Sequence, residues 1–318
     1  MANEKILVTG AAGQIGSELV PALRDKYGED NVIALYHKTV PKDIGVHVIG
    51  DANDKKLIEG IIHKNNITVI YHLAGILSAK GEQNPDLAYH VNMGTLKNVL
   101  DIAKEMKDKG KLIKIFWPSS IAAFGPTTPR DNTPQRTILE PSTMYGVTKV
   151  AGELLVNYYF KKYGLDIRGL RYPGVISWKT PPGGGTTDYA VEIFYGALKE
   201  KKYTSFLKAG TYLPMMYMED AIKATIDLME AESSKISIRT SYNITAVSFE
   251  PGEIAAEIKK HIPEFEINYA PDFRQNIADS WPKSIDDSSA RKDWNWNHKF
   301  GLSEMVSDML KNLGPMLK

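Results

Sequence analysis

Tyr145 and Lys149, in the run Tyr145-Gly146-Val147-Thr148-Lys149, are the residues of this chain whose types and spacing most directly imply chemistry. At positions i and i+4 they share one face of a helix. Ser142 is placed to cap that helix, so an ammonium and a helix N-terminus both stand near the phenol. Each favours the phenolate, and a group with a reference pKa of about 10 then becomes usable as a base near neutral pH. An isolated pair of this spacing is more often a solvated surface feature. Here an apolar strand ending in Trp117-Pro118-Ser119-Ser120 precedes it, and Ser120 adds a hydroxyl at the end of that strand.

A second constellation lies at the start of the chain. Ile6–Thr9 is a short apolar run, followed by glycines at 10, 13 and 16 and then by apolar residues at helical spacing. Strand, turn and helix in that order let the backbone approach a ligand closely at the turn. The free N–H groups of the helix start, around Gln14 and Ile15, suit a pyrophosphate. The spacing is G-x-x-G-x-x-G and not the commonest G-x-G-x-x-G of dinucleotide sites, so the turn alone is a weak signal.

Both constellations need a scaffold that brings strand ends together. Strand-like runs at Ile6–Thr9, Val32–Tyr36, His47–Ile49, Val69–His72, Leu112–Trp117 and Ile167–Tyr172 alternate with helical stretches near 14–26, 54–64, 85–107 and 143–162. This alternation implies an α/β fold with a doubly wound parallel sheet, whose ligand site lies at the carboxyl ends of the strands. We expect residues 1–172 to form this domain and 173–318 to form mainly a smaller α/β lobe, with part of 213–235 packing back on the first. The Pro/Gly stretch Lys179–Asp188 resembles a hinge or lid, followed by a helix at Tyr189–Glu200 that Thr187 or Asp188 could cap. Beyond it we expect an apolar run at Leu213–Met218, helices near 220–231, 251–261 and 302–312, and strands near Ser241–Ile244 and 265–269.

Composition narrows the functional classes. Lys and Arg number 39 against 38 Asp and Glu, and no basic block stands out, so neither nucleic acid nor an anionic membrane surface is an expected partner. With 43% hydrophobic residues the chain can bury a sizeable core. The absence of cysteine excludes disulfides, thiolate catalysis and cysteine-based metal sites. No metal is expected. No run approaches the roughly 20 apolar residues of a membrane span, so a cytoplasmic protein is the expectation.

Taken together, these residues resemble an extended short-chain dehydrogenase/reductase, the group that includes the UDP-galactose 4-epimerases. Thr9-Gly10-Ala11-Ala12-Gly13-Gln14-Ile15-Gly16 is similar to that group's glycine motif, Ser120 to its catalytic serine, and Tyr145 with Lys149 to its Y-x-x-x-K pair. The resemblance covers nearly the whole chain. Within the group it is nearest to the short-chain type of L-threonine 3-dehydrogenase, through Leu73-Ala74-Gly75-Ile76-Leu77-Ser78, Arg171-Tyr172-Pro173-Gly174, Gly185-Thr186-Thr187-Asp188-Tyr189-Ala190, Leu213-Pro214-Met215-Met216-Tyr217-Met218 and Asp279-Ser280-Trp281-Pro282. The resemblance implies a Rossmann-type domain that binds NAD through Gly10, Gly13, Gln14, Ile15, Asp51, Ala52, Leu73, Ala74, Gly75, Asn92, Tyr145, Lys149 and Tyr172. It implies an amino-acid substrate held by Ser78, Ser120, Tyr145, Gly185, Thr186 and Trp281, with Tyr145 as the base.

Two departures from the group's pattern matter. Epimerases usually read R-Y-F-N after strand six, where this chain has Pro173 and Gly174. The end of strand two carries Tyr36-His37-Lys38 and no acidic residue, which leaves NADP open beside NAD. A nucleotide-sugar epimerase or dehydratase, and a non-catalytic NAD(P)-sensing regulator, remain the alternative readings. The resemblance also implies a homodimer built on the helices near 85–107 and 143–162, with Leu154, Val156 and Tyr159 on their exposed faces.

Overall fold

Short buried strands alternate with amphipathic helices through the first half of the chain: β1 (Ile6–Thr9), α1 (Gly16–Tyr27), β2 (Val32–Tyr36), β3 (His47–Ile49), α2 (Lys55–Asn65), β4 (Val69–His72), α3 (Ser78–Gln83), α4 (Pro85–Asp108), β5 (Lys114–Ser120), α5 (Met144–Tyr163) and β6 (Ile167–Tyr172). The second half is more mixed. It runs β7 (Gly174–Ile176), α6 (Tyr189–Glu200), β8 (Lys202–Ser205), β9 (Leu213–Tyr217), α7 (Met218–Glu230), β10 (Tyr242–Asn243), β11 (Val247–Phe249), α8 (Pro251–His261), β12 (Glu266–Tyr269), α9 (Arg274–Asp279), α10 (Ser288–Trp294) and α11 (Leu302–Met316). The structure, a computed structural model, describes residues 4–38, 40, 41 and 45–317.

A seven-stranded sheet takes the order β10-β6-β5-β4-β1-β2-β3. The pairs β1–β2, β1–β4, β2–β3 and β4–β5 are parallel. Every residue of β1, β2, β4 and β6 is buried, as a parallel sheet covered on both faces requires. The strand order reverses between β1 and β4. In such a sheet the ligand crevice opens at the carboxyl ends of those two strands.

The chain divides into two compact units. One holds the residues up to Ser119 together with Thr143–Leu170 and Ala224–Tyr242; the other holds Ser120–Ser142, Arg171–Lys223 and the residues from Asn243 on. In the first, Leu7, Ile33, Ile70 and Ile115 of the sheet pack with Ile58 and Ile62 of α2, Leu96, Val99 and Leu100 of α4, and Val156 and Tyr159 of α5. Buried Arg168 donates to the carbonyls of Leu228, Met229 and Ala231, so its guanidinium caps the end of α7. In the second unit, β9 pairs antiparallel with β11 and parallel with β7, and β8 pairs parallel with β12. The Tyr189 ring stands edge-on to Phe206 and Phe249 there, holding α6 on this core. No helix among the described residues is long and apolar enough to cross a membrane.

The structure corrects several local expectations. β5 starts at Lys114 and runs on to Ser120. Leu112 is 72% exposed, and Pro118 sits past Tyr71↔Phe116, the last registered pair with β4, where its missing N–H is not needed. The cap of α5 is Thr143, whose side chain accepts from the Gly146 N–H at 3.1 Å, and not Ser142. Asp188 precedes α6 without capping it by its side chain. Its Oδ2 instead accepts the N–H groups of Gly183, Gly184 and Gly185 at 2.7, 2.7 and 2.8 Å, gathering the glycine run around one carboxylate oxygen. On α5, Leu154 is 61% exposed as expected, whereas Val156 and Tyr159 are 1% and 5% exposed and belong to the core. The Tyr159 hydroxyl reaches Asp101 of α4 at 2.5 Å.

Candidate active site

Gly10 turns the chain out of β1 with φ +68, a conformation costly for any residue with a side chain. A Cβ there would lie 2.7 Å from both the Ala74 nitrogen and the Leu73 carbonyl carbon, so the strand ends of β1 and β4 touch through bare backbone. The Gly13 N–H donates to the Gly10 carbonyl at 2.9 Å, and a Cβ on Gly16 would fall 2.4 Å from that same oxygen. α1 then begins with no side-chain cap. The turn through Gly10, Gly13, Gln14 and Ile15 is a shaped cradle beside an uncapped helix start, and a pyrophosphate fits it.

A chain of buried hydrogen bonds holds the other lip of this crevice. The Ala74 N–H donates to Thr9 Oγ1 at 3.3 Å, Thr9 Oγ1 lies 2.8 Å from His72 Nδ1, and His72 Nε2 lies 3.1 Å from Thr95 Oγ1. The Thr95 hydroxyl donates to the Val91 carbonyl at 2.8 Å, so it can only accept from His72. His72 therefore carries its proton on Nε2, and the Thr9 hydroxyl donates to Nδ1. Burial, reinforced by the charge of Lys149, pushes the pKa of His72 down to about 3, so the ring stays neutral. Asn92 of α4 closes the same loop. Its Oδ1 accepts from the Ile76 N–H at 2.7 Å and its Nδ2 donates to the Ile76 carbonyl and to Thr148 Oγ1, each at 3.1 Å. At the end of β3, Asp51 accepts from the Asn53 N–H at 2.9 Å and stands 3.9 Å from the His37 ring nitrogen, while Ala52 packs on the core.

The tyrosine and lysine sit where α5 meets the end of β5. The Lys149 ammonium donates to the Pro118 carbonyl at 2.6 Å and lies 4.8 Å from the Trp117 ring centre and 5.2 Å from that of Tyr145. Gly152 makes this docking possible, because a Cβ there would meet the Trp117 ring at 2.3 Å. One turn past Lys149, buried Glu153 accepts from the Ser119 hydroxyl at 2.6 Å. Burial drives the pKa of Lys149 down to about 7, against the opposing pull of Glu153. α3, which the sequence did not announce, runs beside this face. A Cβ on Gly81 would lie 3.9 Å from that of Tyr145, and Glu82 accepts the Met144 N–H at 2.7 Å.

The remaining expected residues lie in the second unit, apart from Ser78 at the first turn of α3. Ser120 ends β5, and its hydroxyl accepts from the Ala122 N–H at 3.2 Å. Tyr172 is buried at the end of β6. Thr186 is buried, Gly185 belongs to the run gathered by Asp188, and Trp281 is held by Arg130, which donates to its carbonyl at 2.8 Å. A Cβ on Gly174 would strike the Met215 sulfur at 2.3 Å and Thr187 at 2.8 Å. The epimerases' asparagine therefore has no room at this position.

Sequence reasoning passed over Thr9, His72 and Glu153. The signal for Glu153 was its spacing, four residues beyond Lys149 on the same helical face. His72 carried only the signal of a polar residue closing an otherwise apolar strand.

The chain belongs to the NAD dependent epimerase/dehydratase family, whose pattern it matches over residues 6–245. Within that family it is 48% identical, over 96% of its length and 82% of the relative's, to the mitochondrial L-threonine 3-dehydrogenase of Sus scrofa. It superposes with a TM-score of 0.95 on the L-threonine dehydrogenase of Phytophthora infestans, at 52% identity over 98% of this chain and 100% of that one. A monomeric L-threonine 3-dehydrogenase from a metagenome superposes with a TM-score of 0.93 at 48% identity, over 98% of this chain and 100% of its own.

Because His72 is neutral when folded and titrates near 6.5 when unfolded, the unfolded chain takes up the extra proton between those limits. Its share of stability is present above pH 6.5 and is lost as pH falls towards about 3, at a slope of up to about 1.4 kcal/mol per pH unit. Urea unfolding of His72→Gln should show lower stability at neutral pH and a shallower acid decline than the parent. An unchanged acid slope would contradict the neutral buried ring.

Proposed function

We propose that this protein is an L-threonine 3-dehydrogenase, oxidising the side-chain hydroxyl of L-threonine to L-2-amino-3-ketobutyrate. The observation that carries the reading is Lys149, sunk against Trp117 and Pro118 directly beside the Tyr145 ring, in a chain 48% identical to a threonine dehydrogenase. NAD, when bound, supplies the acceptor for the hydride that leaves the hydroxyl-bearing carbon. Tyr145 Oη takes the hydroxyl proton, and its phenolate is favoured by the neighbouring ammonium. Ser120 Oγ orients the same hydroxyl, and Lys149 serves the cofactor's ribose as well as Tyr145.

The glycine turn, with Gln14 and Ile15, would hold the cofactor's pyrophosphate, and Asp51 and Ala52 its adenosine. Leu73, Ala74 and Gly75, braced by Asn92 through Ile76, would contact the same cofactor, as would Tyr172. Ser78, Gly185, Thr186 and Trp281 are the residues that would contact the amino-acid end of the substrate. The crowding at Gly174 favours this small substrate over a nucleotide-sugar. NAD is the favoured coenzyme by family, although β2 ends in Tyr36-His37-Lys38 without a carboxylate.

Purified protein offered L-threonine, L-serine or UDP-galactose, each with NAD and with NADP, should reduce NAD with L-threonine and leave UDP-galactose untouched. Tyr145→Phe keeps the ring and removes the proton acceptor, so kcat should fall at least about 100-fold with cofactor affinity little changed. Turnover retained in that variant would overturn the assignment of the base.

Homodimerisation through α4 and α5 completes the reading. Leu87 and Tyr89 on α4 and Val147, Leu154 and Tyr158 on α5 are exposed apolar side chains, more than a lone helix pair gains from leaving in water. Light scattering at micromolar concentration should give twice the 35.4 kDa chain mass. A monomer mass would contradict it.

A further inference from the structure

Glu153 is 1% exposed, and carboxylates are almost never buried so completely without a compensating group. The Ser119 hydroxyl gives Glu153 a hydrogen bond but no charge. A positive charge stands one helical turn earlier on the same face, at Lys149, and the two side chains act on each other electrostatically. Lys149 is itself half-buried, with the Pro118 carbonyl and the Trp117 and Tyr145 rings around its ammonium. Neither a carbonyl nor a ring face cancels a full charge. Among the described residues Tyr145 on the same helix and His72 from β4 also face the ammonium, and His72, held neutral by burial and by that ammonium, adds no charge of its own.

From this arrangement we propose that Glu153 is a positioning residue: its buried carboxylate keeps Lys149 charged and in place beneath Tyr145, and through Ser119 it pins the end of β5 to α5. The proposal rests on the reading of Tyr145 and Lys149 as the catalytic pair. Without the carboxylate, burial alone governs the ammonium, which already sits at a pKa of about 7 with Glu153 present. A neutral amine no longer favours the Tyr145 phenolate. The base then needs a higher pH to form.

The test substitutes Glu153→Gln, which preserves shape and can still accept from Ser119. The acid limb of the kcat/KM profile should move up by about one pH unit, and kcat near neutral pH should fall about tenfold with KM for L-threonine little changed. Glu153→Asp, which keeps the charge, should restore most of the shift. An acid limb at its original position in Glu153→Gln would overturn the proposal, since a purely structural clamp would lower the rate without moving it. A second arm needs no activity. Lys149→Met and Glu153→Gln should each lower Tm, and the double variant should melt above either single one, as removing both members of a buried charge pair costs less than stranding one. Additive losses of Tm would overturn the pairing. A wild-type protein inactive on L-threonine but non-additive in this cycle would refute the assigned function and leave the pairing standing.

Discussion

A half-buried primary ammonium, that of Lys149, is the constraint around which this structure is arranged. An uncompensated buried charge costs several kcal/mol even after relaxation, so Lys149 persists only because the chain surrounds it with matched groups. The Pro118 carbonyl at 2.6 Å, the faces of Trp117 and Tyr145, and Glu153 one turn away supply them. Each demands something of the backbone. Trp117 can lie on α5 only because residue 152 is glycine, and the Pro118 carbonyl is available because β5 continues past its last pair with β4.

The opposite lip of the crevice solves a related problem without charge. His72 lies close enough to Lys149 for the ammonium to oppose its protonation, so two cations in this space would repel. A neutral imidazole with both nitrogens satisfied passes one directional run of hydrogen bonds from Ala74 through Thr9 to Thr95 and Val91. That run fixes the Leu73–Gly75 backbone against Gly10. The reversal of strand order between β1 and β4 thus becomes a rigid slot and not merely a topological feature.

Much of this was legible in the sequence wherever a local rule governs. β1, β2 and β4 fall where their apolar runs place them and β6 on the expected span Ile167–Tyr172, and Tyr145 and Lys149 lie side by side as their spacing requires. What escaped depended on distant partners. α3 is six residues long and contains Gly81, which helical periodicity disfavours, and it is formed against α5. Leu112 is apolar yet exposed, while Val156 and Tyr159 turn inward because α5 presents that face to α4 and the sheet. Asp188 had the composition of a helix cap but met three glycine N–H groups that outcompeted the helix start. Gly174 read as a departure from the epimerase pattern, and only the positions of Thr187 and Met215 gave its physical reason.

The central claim is that the sunken ammonium of Lys149 makes Tyr145 a base near neutral pH. Ultraviolet difference absorbance between the NAD-bound protein and its Tyr145→Phe variant, followed across pH, reads the phenolate directly. The account predicts a tyrosinate signal already present near neutral pH that retreats towards the ordinary tyrosine range, near about 10, in Lys149→Met. A signal that rises only in that ordinary range in the unsubstituted protein would contradict it.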